Sequence, residues 1–171
     1  EGSDRMKKLE TKSCEEIMST TYKPVKFVID ELMGEGLFIL AGAPKIGKSW
    51  MVLDFGVRIA KGEPIWNLPT KQGTVLYLAL EDSLSRIQER LCKLTDDVPS
   101  KLFFTTVAGT LSDDLCFQIE QFISEHTDTV LVIIDTFQLV RIGGVDTSYA
   151  NDYSEVRILK ALADKLHISL L

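Results

Sequence analysis

Histidine is scarce in this sequence. His126 and His167 are the only two, which leaves no histidine-based cluster for a metal ion. Cysteine is nearly as rare, and Cys14, Cys92 and Cys116 lie far apart without a C-x-x-C pair. Neither a disulfide framework nor a thiolate zinc site is indicated, and reduced structural thiols are expected. No apolar run approaches the roughly 20 residues that span a bilayer. The opening EGSDRMKKLE lacks the apolar centre of a signal peptide, so the cytoplasm is the expected compartment and a membrane is not an expected partner. Positive charge is in deficit too: 19 Lys and Arg stand against 25 Asp and Glu, a formal net charge of -6. The global field therefore repels nucleic acid, and any contact with it has to be local.

What is present fits one soluble α/β domain. With 171 residues, 45% hydrophobic and 26% charged, the chain can bury a substantial core and has no disordered or fibrous character. Residues 1–22 read as a polar leader, in part a tag before Met6, in which Ser13-x-x-Glu16 resembles a capping box ahead of a short helix. From residue 23 apolar strand-like runs, at 36–41, 74–80, 102–107, 129–134 and 168–171, alternate with helical segments at about 48–61, 83–94, 112–125 and 152–166. In the last helix Val156, Leu159, Leu162, Ala163 and Leu166 form one stripe, with Asn151 or Asp152 available as its cap. Continuous apolar strands alternating with helices predict a mostly parallel sheet covered on both faces. The chain stops at Leu171 inside the fifth apolar run, so residues 23–171 read as a core cut short at its C-terminus.

The stretch AGAPKIGKSW, residues 41–50, contains G-x-x-x-x-G-K-S from Gly42 to Ser49. A glycine-rich turn between a buried strand and a helix aims successive backbone N–H groups at one spot, where the helix dipole adds positive potential. Phosphate is the natural occupant. Gly42 and Gly47 permit the turn, Lys48 reaches the outer phosphates and Ser49 offers a hydroxyl to magnesium. The binding stretch comprises Gly42, Ala43, Pro44, Lys45, Ile46, Gly47, Lys48, Ser49 and Trp50. Lys45 is expected on the loop surface, and the side chains of Trp50, Met51 and Phe55 as core packing.

Two acids should meet this loop. In an open parallel sheet, ligands sit beyond the carboxyl ends of the strands. Asp135 follows TVLVII directly and Glu81 follows TVLYLAL directly, so both belong on the rim that carries residues 42–49. Asp135 caps a wholly apolar strand and suits a magnesium ion bridging phosphates. Glu81 suits a base that orients and deprotonates an attacking water. Its bland alternative is a helix cap, a task for which Asp82 or Ser83 stands closer to the helix start.

The ordered set GAPKIGKS, VLYLALEDS with Arg86 and Arg90 following, and LVIIDTFQL resembles the RecA-fold P-loop ATPases. Within them it is most similar to the RepA-type hexameric replicative helicases of plasmids and phages, relatives of the DnaB helicases, over about residues 23–171. The resemblance implies ATP with Mg2+, Gly42 to Ser49 as Walker A, Asp135 as the Walker B acid and Glu81 as the catalytic glutamate. It also implies a homo-oligomeric ring such as a hexamer, with ATP between subunits and channel loops on single-stranded DNA. The segment 141–151, RIGGVDTSYAN, falls where those loops lie: Gly143 and Gly144 would lend mobility, Arg141 could meet phosphate and Tyr149 could stack on a base. An ordinary surface loop is an equal reading. Arg86 and Arg90, four apart on one helix face, could contact nucleotide or a neighbouring subunit, and are expected rather to pair with Glu89 or other surface acids. The sensor and arginine finger of the family would lie beyond Leu171.

Three functions remain open at this point: a DNA-dependent motor, a RecA- or KaiC-like ATPase that assembles without unwinding, and an ATP-gated regulatory module. Ala43 stands where partition-type ATPases carry a lysine, and no arginine-rich lid of a small-molecule kinase is visible.

Overall fold

The computed structural model describes residues 9–22, 24–142 and 149–171, with side chains from residue 153 onward in the last stretch. A capped helix comes first. In α1 (Cys14–Ser19) the Ser13 hydroxyl accepts from Glu16 N–H at 3.0 Å and Glu16 Oε2 accepts from Ser13 N–H at 2.8 Å, a complete capping box. None of its residues is buried.

Strands β1 (Phe27–Ile29) and β2 (Met33–Gly34) form a small antiparallel hairpin that the apolar-run reading does not contain. The main sheet is built from β3 (Gly36–Leu37), β4 (Thr74–Ala79), β5 (Leu102–Thr105), β6 (Thr129–Asp135) and β7 (Ser169–Leu170), in the order β3-β7-β6-β4-β5. Every pairing in it is parallel. Between these strands run α2 (Lys48–Lys61), α3 (Leu84–Leu94), α4 (Leu115–Glu125) and α5 (Tyr149–Leu166). A 3-10 turn (Phe137–Val140) follows β6.

Both faces of the sheet are covered, because alternate residues of each central strand point opposite ways. Val75, Tyr77, Ala79, Leu131 and Ile133 join Val52, Phe55 and Ile59 of α2 and Val28, Ile29 and Met33 of the hairpin in one buried cluster. Leu76, Leu78, Val132 and Ile134 join Leu115 and Ile119 of α4 and Leu159, Leu162 and Ala163 of α5 in the other. That is why β4 and β6 read as unbroken apolar runs.

Element boundaries shift where the ladder runs out of partners. The strand expected over 36–41 is regular only at Gly36–Leu37, because β3 bonds solely to the two-residue β7, and the Phe38 N–H donation to Leu170 O at 2.8 Å is its last rung. Beyond Thr105 the strand expected to 107 is turned aside by the Thr105 hydroxyl, which donates to Val107 O at 2.7 Å and accepts from Val107 N–H at 3.2 Å. Helix α4 begins at Leu115 rather than 112, since the Thr110 hydroxyl donates to Asp113 at 2.8 Å and holds a turn there. Helix α5 begins three residues before the expected 152. Helix α2 has the expected bounds. No helix among the described residues is long and apolar enough to cross a membrane.

Candidate functional site

The loop from Ala41 to Gly47 leaves the edge of the sheet and enters α2 directly. Gly47, the residue before the helix, sits at φ 96°, and its neighbourhood leaves open space where a Cβ would stand. Conformation rather than crowding thus calls for glycine here. The first intrahelical bond is Met51 N–H to Gly47 O at 3.0 Å, so the N–H groups of Lys48, Ser49 and Trp50 precede the helical ladder and lack a side-chain cap. Such a terminus suits an anion. Gly47→Ala is expected to lower stability by about 1–2 kcal/mol, the cost of the left-handed conformation for a residue with a Cβ. Pyrophosphate affinity should weaken with it. Urea unfolding and a pyrophosphate titration check this, and an unchanged midpoint would show that the loop accommodates the new side chain.

Lys48 arches back over this loop. Its ammonium donates to the carbonyls of Gly42 and Ala43, both at 2.8 Å, which holds the charge over the loop rather than out in solvent. Ser49 follows it at the helix start, half-buried. Lys45 is exposed with φ 64°, and Pro44 and Ile46 are exposed as well, so these side chains lie on the outer surface of the loop.

Asp135 ends β6 in register with Ala79 of β4, and Leu80 N–H donates to Asp135 O at 2.8 Å. Glu81, two residues past Ala79, therefore emerges on the same rim. A cavity of about 130 Å³ is lined by Phe38 to Leu40, Lys48, Val52, Asp135 and Thr136, among others, so the loop lysine and the strand-end acid share one opening. Glu81 does not line it. Its side chain is exposed and has no hydrogen bond or ion pair among the described residues. Helix α3 is capped instead by Ser83, whose hydroxyl accepts from Arg86 N–H at 3.4 Å.

Three features escaped the sequence reading. Tyr77, which carried no assignment there, donates its buried hydroxyl to Asp135 Oδ2 at 2.7 Å. Burial, then the nearby Asp135 charge and the hydrogen bond to it, push the Tyr77 phenol far above its ordinary pKa, so it stands as a donor at neutral pH. Secondly, Arg86 and Arg90 do not pair with Glu89, which is taken by Lys93 at 3.0 Å. Both converge on Asp82. Arg90 hydrogen-bonds Asp82 Oδ2, and Arg86 Nε stands 3.2 Å from Asp82 Oδ1, an ion pair without an aligned hydrogen bond. Thirdly, Trp50 is not core. It is 38% exposed, with the Arg90 guanidinium 5.6 Å from its ring centroid, within cation–π range. Phe55 is buried as expected and Met51 half-buried. Arg90 thus links the first turn of α2 to the turn that carries Glu81.

The segment 141–151 divides. Arg141, expected to face phosphate, is turned inward, with Nε donating to the fully buried Glu155 at 2.8 Å and the guanidinium 5.7 Å from the Phe137 ring. Gly143 and Gly144 lie outside the described residues, and Tyr149 begins α5 with its side chain outside them.

As to metal, the described residues hold no cluster of three or more His, Cys, Asp or Glu side chains that could grip an ion by itself. A hydroxyl from Ser49 and one carboxylate from Asp135 are hard oxygen donors. Hard oxygen donors of this kind are what Mg2+ prefers, although Ser49 does not line the opening that Lys48 and Asp135 share.

A family model described as an AAA domain matches residues 4–171, nearly the whole chain. No curated protein matches the sequence. Among solved structures, one described as an ATPase domain superposes with a TM-score of 0.57 at 16% identity, over 80% of this chain and 55% of that one. The present chain thus spans about half the length of that structure. The likeness establishes the architecture, a RecA-like P-loop ATPase sheet with helices on both faces.

Proposed function

Because the chain belongs to the AAA domain family and has the fold of a P-loop ATPase, we propose that it is the ATP-binding, Mg2+-dependent hydrolytic core of a DNA-associated motor. The finer reading is a replicative helicase or replication protein of a mobile element, of the RepA type, working as a homo-oligomer on single-stranded DNA. One observation carries the ATPase reading: Lys48 and Asp135 line a single opening at the carboxyl rim of the sheet, and Glu81 stands on that rim without a partner among the described residues. The motor reading rests on the ordered motifs GAPKIGKS, VLYLALEDS and LVIIDTFQL.

The proposed chemistry follows from the donors. Backbone N–H groups at the start of α2 bind the β-phosphate, and Lys48, swinging from the Gly42 and Ala43 carbonyls, neutralises the outer phosphates. Ser49 and Asp135 would hold Mg2+, which supplies charge neutralisation between the phosphates. Glu81 accepts a proton from the attacking water and orients it in line with the bond to be broken.

The test is ATP turnover by the full-length gene product with and without single-stranded DNA. Stimulation by DNA supports the motor. Turnover indifferent to DNA, with assembly of the protein on itself, would leave an ATPase that assembles without unwinding. Tight ATP binding with negligible turnover would replace both readings by a nucleotide-gated regulatory module.

A further inference from the structure

Asp135 is held by one side chain among the described residues, and that side chain comes from another strand. Tyr77 lies in the middle of β4, opposite Ile133 of β6, with Ala79 opposite Asp135. Its hydroxyl therefore reaches diagonally along the face of the sheet, two residues up the neighbouring strand, a distance a tyrosine can span. The residue is 2% exposed and its ring packs against Phe104 of β5 at 5.5 Å between centroids, so it has little freedom to swing the hydroxyl elsewhere. The bond it makes, O–H to carboxylate at 2.7 Å, belongs to the strong charge-assisted class. It occupies Oδ2 and leaves Oδ1 with no hydrogen bond from the described residues.

We propose that Tyr77 is a positioning residue for the metal site: by engaging Oδ2 it fixes the plane of the Asp135 carboxylate and leaves Oδ1 free to hold a divalent ion. The inference rests on the reading of Asp135 as the residue that holds Mg2+. A carboxylate at the end of a strand otherwise rotates about χ2 and is shared with water. Outer partners that orient a metal ligand typically contribute about 10- to 100-fold to metal affinity. The sequence alone hides this role, since Tyr77 reads as one more apolar residue in TVLYLAL.

The experiment is a titration of the full-length protein with the fluorescent analogue mant-ATP, once in EDTA and once across a series of Mg2+ concentrations, together with direct Mn2+ binding followed by electron paramagnetic resonance. Tyr77→Phe preserves the ring and its packing. It is expected to leave affinity in EDTA unchanged and to weaken Mn2+ binding and the Mg2+-dependent gain in nucleotide affinity by about 10-fold or more. Asp135→Asn serves beside it. If Asp135→Asn removes the metal dependence and Tyr77→Phe leaves it intact, Tyr77 only packs and the inference is overturned while the site stands. If Asp135→Asn leaves the metal dependence untouched, the reading of Asp135 falls and the inference falls with it. Should Tyr77→Phe fail to fold, Phe104→Leu decides, because it loosens the ring's seat and retains the hydroxyl. Weaker metal dependence in that variant with normal affinity in EDTA supports the positioning role, and wild-type metal dependence overturns it.

Discussion

Glu81→Gln is expected to reduce ATP turnover by about 100- to 10,000-fold, the range that a positioned general base contributes, while ATP binding persists. The separation follows from where Glu81 stands. Its carboxylate is exposed and has no hydrogen bond or ion pair among the described residues, so the amide replaces it at little cost to stability. Its backbone is fixed from the next residue, since Asp82 is clamped by Arg90 and Arg86, and Arg90 lies over Trp50 on the helix that follows the glycine-rich loop. The loop donors and Lys48 are untouched. Phosphate release and a mant-ATP titration read the two quantities independently. Turnover equal to wild type would sink the assignment of Glu81. Loss of binding together with turnover would show instead that the turn supports the nucleotide.

The second large effect concerns stability. Glu155 is fully buried on α5, where it accepts from Arg141 Nε at 2.8 Å and from Ile142 N–H at 2.7 Å. Glu155→Ala removes the buried counter-charge of the Arg141 guanidinium and the acceptor for a backbone N–H. The expected cost is about 3–5 kcal/mol, the range for breaking a buried ion pair by deleting one partner. That is a large share of the roughly 5–15 kcal/mol that holds a domain folded. Glu155→Gln keeps an acceptor for Ile142 N–H and should fall between the two. Urea unfolding reads all three. A loss below about 1 kcal/mol is what a solvent-exposed pair would show, and it would contradict the buried arrangement. The same pair bears on the 141–151 segment. Its one arginine is committed to Glu155, so contact with DNA through this segment calls on other residues.

Much of this protein is legible in local pattern. The G-x-x-x-x-G-K-S stretch marks a loop whose last glycine has the left-handed φ of 96° that only glycine adopts freely. The helix after it has the bounds its periodicity predicts, and the Ser13 and Glu16 spacing marks a real capping box. Alternation of apolar runs with helices was enough to place Asp135 and Glu81 on one rim, because in a parallel sheet every strand ends on the same side. These signals are short-range, set by backbone sterics and by which face of an element is apolar, and they survive in a single sequence.

Tertiary structure decided the rest. The β1–β2 hairpin is missed because its strands are three and two residues long, too short for a period to register. Helix and strand periodicity also cannot say that β7 lies between β3 and β6, since strand order is a matter of packing and crossover. Above all, the side chains that steady the site are paired across sequence distance. Tyr77 meets Asp135 over 58 residues, Arg90 meets Asp82 and Trp50, and Arg141 meets Glu155. The sequence by itself determined the glycine-rich turn, the helix behind it and the rim on which the acids stand. Only the fold decided that Tyr77 holds Asp135, because a hydrogen bond between distant residues exists only once the sheet has brought their strands together.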